Sequence, residues 1–228
     1  MTDRNLRVYD DVLSTEVFSR LKRTIASMPN PPHSYWVDAR KPPENLIELV
    51  IDCLHRTVLP GRTFVGAEWW FRRESTAVSK KLHFDKDEAL AHKGQYVHPN
   101  LGSVFYLTDV GGHTLVTDQT CSPDGRTMSP PEPTERRIVA PRENRYMVFD
   151  GRLLHAVLPA RTDAHTERTT LLVNWWDRPL SNAERLAVTT QQLGLALESA
   201  PVSAGACRLS QSASQVCKAA PVQQMRSL

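Results

Sequence analysis

The chain has 228 residues, a formal net charge of +3 and 40% hydrophobic residues, a size that suits one domain with short appendages. So slight a charge, with no dense basic run, argues against a nucleic-acid partner. No apolar stretch is long enough to span a bilayer and residues 1–7 lead into no signal-peptide core, so a cytoplasmic protein without a membrane partner is expected.

In chain order, residues 13–25 predict an amphipathic helix, with Val17, Leu21 and Ile25 on one stripe and Ser14 as N-cap. Asn30-Pro31-Pro32 ends it. Lys41-Pro42-Pro43 then precedes a second apolar helix through Leu46, Leu49, Val50, Cys53 and Leu54. Both read as scaffold against the outside of a β core. Residues 63–73 are strand-like, and Trp69 and Trp70 are expected to pack in the core, with a place on a pocket wall as the alternative. The four cysteines, Cys53, Cys121, Cys207 and Cys217, show no paired metal spacing and read as free thiols.

The next segment, Lys81-Leu82-His83-Phe84-Asp85, carries the chemistry. On a strand, alternation puts His83 and Asp85 on one face, close enough to share a metal ion. The polar stretch 88–100 reads as a loop over that site, with His92 and His98 as rival ligands. Two strands follow, 104–108 and 114–117, joined through Asp109-Val110-Gly111-Gly112. Residues 122–141, with Ser-Pro-Asp-Gly and Pro-Pro-Glu-Pro, read as a surface excursion.

Residues 145–159 form an apolar strand, a turn and a second strand that carries His155, the best third ligand. Two histidines and one carboxylate on one side of a metal leave open positions for a cosubstrate and dioxygen, the arrangement of non-haem iron(II) oxygenases. In the β-rich run 168–176, alternation puts Arg168 and Thr170 on one face, where a planar guanidinium can hold a carboxylate bidentately and the hydroxyl can add a donor. The bland reading pairs Arg168 with Glu167 or Asp163 at the surface. Residues 183–197 can form a last helix through Leu186, Leu193 and Leu197, and the Ser-, Ala- and Gln-rich stretch 200–228 reads as a flexible tail after a single domain, 1–199.

The order His83-x-Asp85, then Phe149-Asp150-Gly151 leading to His155-x-Val157-x-Pro159, then Arg168-x-Thr170, resembles the 2-oxoglutarate and iron(II)-dependent dioxygenases, prolyl-hydroxylase-like oxygenases among them. Tyr106-Leu107-Thr108 and Gly111-Gly112-His113-Thr114 match that superfamily's tyrosine-bearing strand and its Gly-Gly-x-Thr turn. The resemblance covers about residues 8–176. It implies a mainly β fold with flanking helices around a double-stranded β-helix, jelly-roll or cupin-like, with iron(II) on His83, Asp85 and His155. It also implies 2-oxoglutarate held by Arg168 and Thr170, with Tyr106 and Thr114 lining the same pocket and ascorbate supporting turnover. Hydroxylation of a small molecule or an amino-acid side chain, releasing succinate and CO2, is the expected outcome. Halogenating relatives lack the carboxylate ligand, so Asp85 argues against halide chemistry. Nucleic-acid demethylases of the superfamily carry a second arginine after the cosubstrate arginine, and the run to Trp176 has none.

Two rival readings stand beside it. A cupin-like oxygenase keeps the fold and metal but not 2-oxoglutarate, and Arg168 with Thr170 counts against it. A non-enzymatic β-barrel binding module would make His83 and His155 satisfied core histidines.

Overall fold

The computed structural model describes residues 6–160 and 166–183. The chain opens with strand β1 (Leu6–Tyr9) and helix α1 (Thr15–Ala26). The Ser14 hydroxyl accepts the Val17 amide at the start of α1, and the predicted stripe is buried with Phe18 added to it. After β2 (Tyr35–Asp38), helix α2 (Leu46–Val58) begins at Asn45, whose Oδ1 accepts the Glu48 amide at 3.0 Å. Glu48 reaches back to accept the amide of Glu44, just before the cap, at 2.8 Å, so the chain entering the helix is tied to its first turn.

The remaining elements are β3 (Gly66–Ser75), β4 (Lys80–His83), the single-turn α3 (Glu88–Ala91), β5 (Leu101–Tyr106), β6 (Thr114–Thr117) and a small hairpin of β7 (Thr120–Cys121) with β8 (Met128–Ser129). Then come β9 (Arg136–Val139), β10 (Arg145–Asp150), β11 (His155–Val157) and β12 (Glu167–Trp176). All strand pairs are antiparallel. The large sheet runs β1-β10-β5-β12-β3-β2 and the small one β4-β11-β6-β9.

Alternation along the strands sorts the side chains into two cores. On β3 and β12, Ala67, Trp69, Phe71, Leu171, Val173 and Trp175 face α1 and α2 and form one cluster with Leu21, Ile25, Ile47, Ile51 and Leu54. Each such aliphatic side chain stabilises the fold by roughly 1.5–3 kcal/mol through burial. On the other face, Val104, Tyr106, Met147, Phe149 and Leu172 from the large sheet meet Val116 and Val139 from the small one, so the second core lies between the sheets. The expected β core with both helices outside it is the arrangement observed. A clasp ties α1 to the sheet: the Asn144 side chain accepts the Leu13 amide at 3.0 Å and donates to the Leu13 carbonyl at 2.8 Å.

Several expectations are corrected. The strand expected over 63–73 starts at Gly66 and runs to Ser75. The stretch 122–141 is not wholly a surface excursion, because Arg136–Val139 forms β9 and completes the small sheet against β6. Cys121 is a free thiol, as expected, but Cys53 on α2 is disulfide-bonded. Cys207, Cys217, Asp163, the helix expected over 183–197 and the tail 200–228 lie outside the described residues, apart from residue 183. Among the described residues, no helix is long and apolar enough to cross a membrane.

Candidate metal and cosubstrate site

β4 and β11 are neighbours in the small sheet, and their register sets His155 directly opposite His83. The two imidazole centroids are 4.2 Å apart. Asp85 lies two residues beyond His83, in the extended stretch just after β4 ends rather than within the strand as expected. Its carboxylate still faces both rings, with His83 Nε2 3.8 Å from Oδ1 and His155 Nε2 3.6 Å from Oδ2. One ligand atom from each residue fits within 4.8 Å of the others, a span that one ion with bonds of about 2.0–2.2 Å closes after small side-chain adjustments.

Hydrogen bonding settles which nitrogens face that point. His83 Nδ1 is 2.8 Å from the Lys81 carbonyl, and His155 Nδ1 is 3.0 Å from the Leu153 carbonyl. A carbonyl only accepts, so each Nδ1 carries a proton and donates it, which leaves both Nε2 lone pairs aimed at Asp85 and the space between. Burial, with His155 beside it, pushes His83 down to about 4, so the ring is neutral at physiological pH. Burial works against the Asp85 carboxylate, yet the His155 and His83 rings and Lys80 hold its pKa below the usual carboxylate range. A neutral His83, an ionised Asp85 and the His155 ring, with both Nε2 atoms turned to the carboxylate, form a donor set that suits a divalent transition metal.

Neither rival histidine joins the cluster. His92 caps α3 at the surface. His98 supports Asp85 instead: its Nδ1 donates to the Asp85 carbonyl at 2.7 Å, and its Nε2 faces Cys121 Sγ at 3.2 Å.

The second group lies between the sheets. Arg168 and Thr170 share the inner face of β12, where Thr170 stands opposite Tyr106 of β5. Arg168 is 7% exposed and Thr170 1% exposed, so the surface pairing with Glu167 fails, and no described carboxylate pairs with the guanidinium. Arg168 sits 5.5 Å over the Tyr106 ring, and its Nη2 reaches Thr114 Oγ1 only at 3.4 Å. The Tyr106 hydroxyl donates to Thr114 Oγ1 at 2.6 Å, and burial pushes the phenol's pKa up. Arg168 Nε and Thr170 Oγ1 are buried without a partner. A buried cation with unsatisfied donors carries a desolvation cost, and a bound anion is the ordinary way to offset it. Gly111, at φ +96°, backs the arginine: a Cβ there would meet its side chain at 2.8 Å.

His83 and Asp85 line a cavity of about 480 Å³ whose wall also holds residues with no motif signal, Glu68 and Arg72 of β3 and Asn174 of β12. Burial pushes Glu68 up to about 7, against the hydrogen bond it accepts from the Ser34 hydroxyl at 2.6 Å. Asn174 stands opposite Glu68 in the ladder and favours the charged forms of both Glu68 and Asp85. Period-two reading from Arg168 through Thr170 reaches Asn174, so the face was legible even though the role was not. The tryptophan pair divides: Trp69 is fully buried against the helices, as expected, and Trp70 lines the cavity.

An antiparallel two-sheet barrel that carries a two-histidine, one-carboxylate cluster near one end and a buried arginine between its sheets is the double-stranded β-helix that the motifs led us to expect. Among solved structures, the chain is similar to a prolyl-4-hydroxylase of Pseudomonas putida, at 17% identity and TM-score 0.50, over 77% of this chain and 86% of that one. It is also similar to SnoN, a non-heme α-ketoglutarate-dependent epimerase from nogalamycin biosynthesis, at 16% identity and TM-score 0.50, over 91% and 92% of the two chains. At these identities the likeness establishes the fold. No family model matches the sequence, and no curated protein matches it.

Proposed function

We propose that this protein is an iron(II)- and 2-oxoglutarate-dependent dioxygenase that hydroxylates a small molecule or an amino-acid side chain. The observation that carries the reading is one barrel holding both a two-histidine, one-carboxylate cluster and a buried arginine with no acid partner among the described residues. The cluster by itself suits any metal oxygenase, whereas the arginine calls for an anion deep between the sheets.

His83 Nε2, His155 Nε2 and an Asp85 oxygen would hold the iron, their rings fixed by the Lys81 and Leu153 carbonyls and their carboxylate's backbone by His98. Arg168 would clamp the far carboxylate of 2-oxoglutarate, with Thr170 Oγ1 as a further donor and the Tyr106 phenol as another once it turns from Thr114. Bound together with dioxygen, the metal and cosubstrate supply the oxidising chemistry and leave succinate and CO2. The chain's own part is orientation and exclusion of water: Phe149 packs edge-on to His155, with centroids 5.0 Å apart, and Met147 and Val104 close the space beneath.

Arg168 separates this reading from a cupin-like oxygenase that does without 2-oxoglutarate. The test is anaerobic titration of 2-oxoglutarate into the iron(II)-loaded protein, followed by the metal-to-ligand charge-transfer band, in the wild type and in Arg168→Ala. A band in the wild type that needs far more cosubstrate in the variant supports the proposal. A wild type with no band, or equal affinity in both proteins, overturns it.

A further inference from the structure

The cavity beside the triad shows which end of a substrate it reads. Its apolar wall includes Trp70 and Phe84, and Glu68 and Asn174 form polar points within it. About 480 Å³ is the scale of a small molecule rather than of a macromolecular surface. Around it stand Arg72, Lys80, Lys81 and Lys86 against Glu68, Asp85 and Glu88.

These charges do not cancel within the site. Asp85 belongs to the triad. Glu88 is paired with Lys86 at 3.0 Å, which removes both from the balance. Glu68 is raised to about 7 by burial, against the hydrogen bond it accepts from Ser34, so it offsets only part of the positive charge at neutral pH. Arg72, Lys80 and Lys81 remain, and none of them has an ion pair among the described residues. Arg72 is the informative member. It lies on the inner face of β3, opposite Thr170, and is half-buried. Its Nη1 is anchored on the carbonyls of Pro31 at 2.9 Å and Phe71 at 3.2 Å. That anchorage orients the fork and leaves its other N–H groups without a hydrogen-bond partner among the described residues. Lys80, three residues before His83 on β4, lines the same cavity as His83 and Asp85.

The ordinary role of lysines on an edge strand such as β4 is solvation and protection against edge pairing. That account covers Lys81 well. It does not cover an inward-facing, half-buried Arg72 in the same cavity.

We propose that the substrate is a small molecule bearing a carboxylate or a phosphate, which Arg72, Lys80 and Lys81 seat at the cavity mouth while its reacting end lies over His83, Asp85 and His155. The substrate assignment rests on the oxygenase reading above, whereas the anion seat itself does not. Complementary charge at the mouth also raises the local concentration of such a substrate, an effect that salt screens.

The test uses the full chain loaded with zinc(II) and 2-oxoglutarate, which keeps it from turning over and fills the Arg168 pocket. Phenyl phosphate, benzoate and neutral benzamide serve as probes, with affinity read by ligand-observed NMR. We expect at least one anion to bind at least about tenfold more tightly than benzamide, on the scale of one charge-assisted hydrogen bond. Arg72→Gln and the surface variant Lys80→Gln should each remove most of that preference, Arg72→Lys should restore part of it, and 2-oxoglutarate affinity should not change. Preference for phenyl phosphate or for benzoate tells the two anion classes apart. Equal binding of benzamide, no anion binding at millimolar concentration, or anion affinity that survives in Lys80→Gln and in a folded Arg72→Gln overturns the seat. Loss of anion binding in Arg168→Gln alone would place the anion in the buried pocket and also overturns it. Should the wild type take up no 2-oxoglutarate yet bind the anion through Arg72 and Lys80, the oxygenase reading fails and the anion seat stands.

Discussion

His83 and His155 are usable as ligands because each gives its Nδ1 proton to a backbone carbonyl two residues earlier, which leaves Nε2 as the only free nitrogen. Replacing His83, Asp85 or His155 by Ala should therefore lower iron(II) affinity by more than the roughly 10–100-fold that loss of an outer hydrogen-bond partner costs. Circular dichroism should remain native, and a variant that keeps its metal affinity would remove that residue from the ligand set. Arg168→Lys keeps the charge but loses the fork, so its 2-oxoglutarate affinity should fall between wild type and Arg168→Ala. The Ala variant should lose about 10–100-fold, the worth of a charge-assisted hydrogen bond of roughly 1.5–3 kcal/mol. Glu68 makes a prediction about pH. Its folded pKa is raised to about 7 from the ordinary 4.5, so the folded state keeps a proton that the unfolded chain has lost. Stability from this group is full below pH 4.5 and declines as pH rises to about 7. Glu68→Gln, which can still accept the Ser34 hydroxyl, should therefore raise Tm at pH 8 and change it little at pH 4. An equal effect at both values would refute the shift.

At the scale of elements, the Gly111-Gly112 turn between β5 and β6 sets where Arg168 can lie. Gly111→Ala meets two objections together, a φ of +96° and a Cβ 2.8 Å from the arginine side chain. We expect 2-oxoglutarate affinity to drop while iron(II) affinity holds, which a titration of each shows directly. Loss of both would mean that the turn supports the barrel as a whole. Helix α2 depends on its first turn, and Asn45→Ala should cost about 0.5–2 kcal/mol in chemical denaturation by leaving the Glu48 amide uncapped.

For the whole molecule, the two cores share one large sheet, so the helices that cover its outer face and the site on its inner face stabilise each other. Ligands that bind only the folded state raise stability by mass action, about 2.7 kcal/mol at one hundred times Kd. In a chain of this length that is a rise in Tm of about 5–10 °C. Manganese(II) with 2-oxoglutarate should produce such a rise in the wild type and none in Asp85→Ala by scanning calorimetry. An equal rise in both proteins would place binding elsewhere.

The sequence by itself determined the elements with strong periodicity. The α1 stripe with its Ser14 cap, the Arg145–Asp150 strand with its turn to His155, and the Arg168–Thr170 face all follow from local spacing, since side-chain direction on a helix or strand repeats with a fixed period. The candidate trio of His83, Asp85 and His155 was legible partly for the same reason and partly from the resemblance in motif order, and the structure brings the three together. Tertiary structure alone decided the rest, because each feature depends on residues far apart in the chain. The pairing that sets His155 opposite His83, the burial that leaves Arg168 without an acid among the described residues, the division of Trp69 from Trp70, and the inclusion of Arg136–Val139 in the small sheet are products of strand register. Glu68, Arg72 and Asn174 carry no motif, and only the ladder between β3 and β12, by setting Glu68 opposite Asn174 and Arg72 opposite Thr170, brings them to the site.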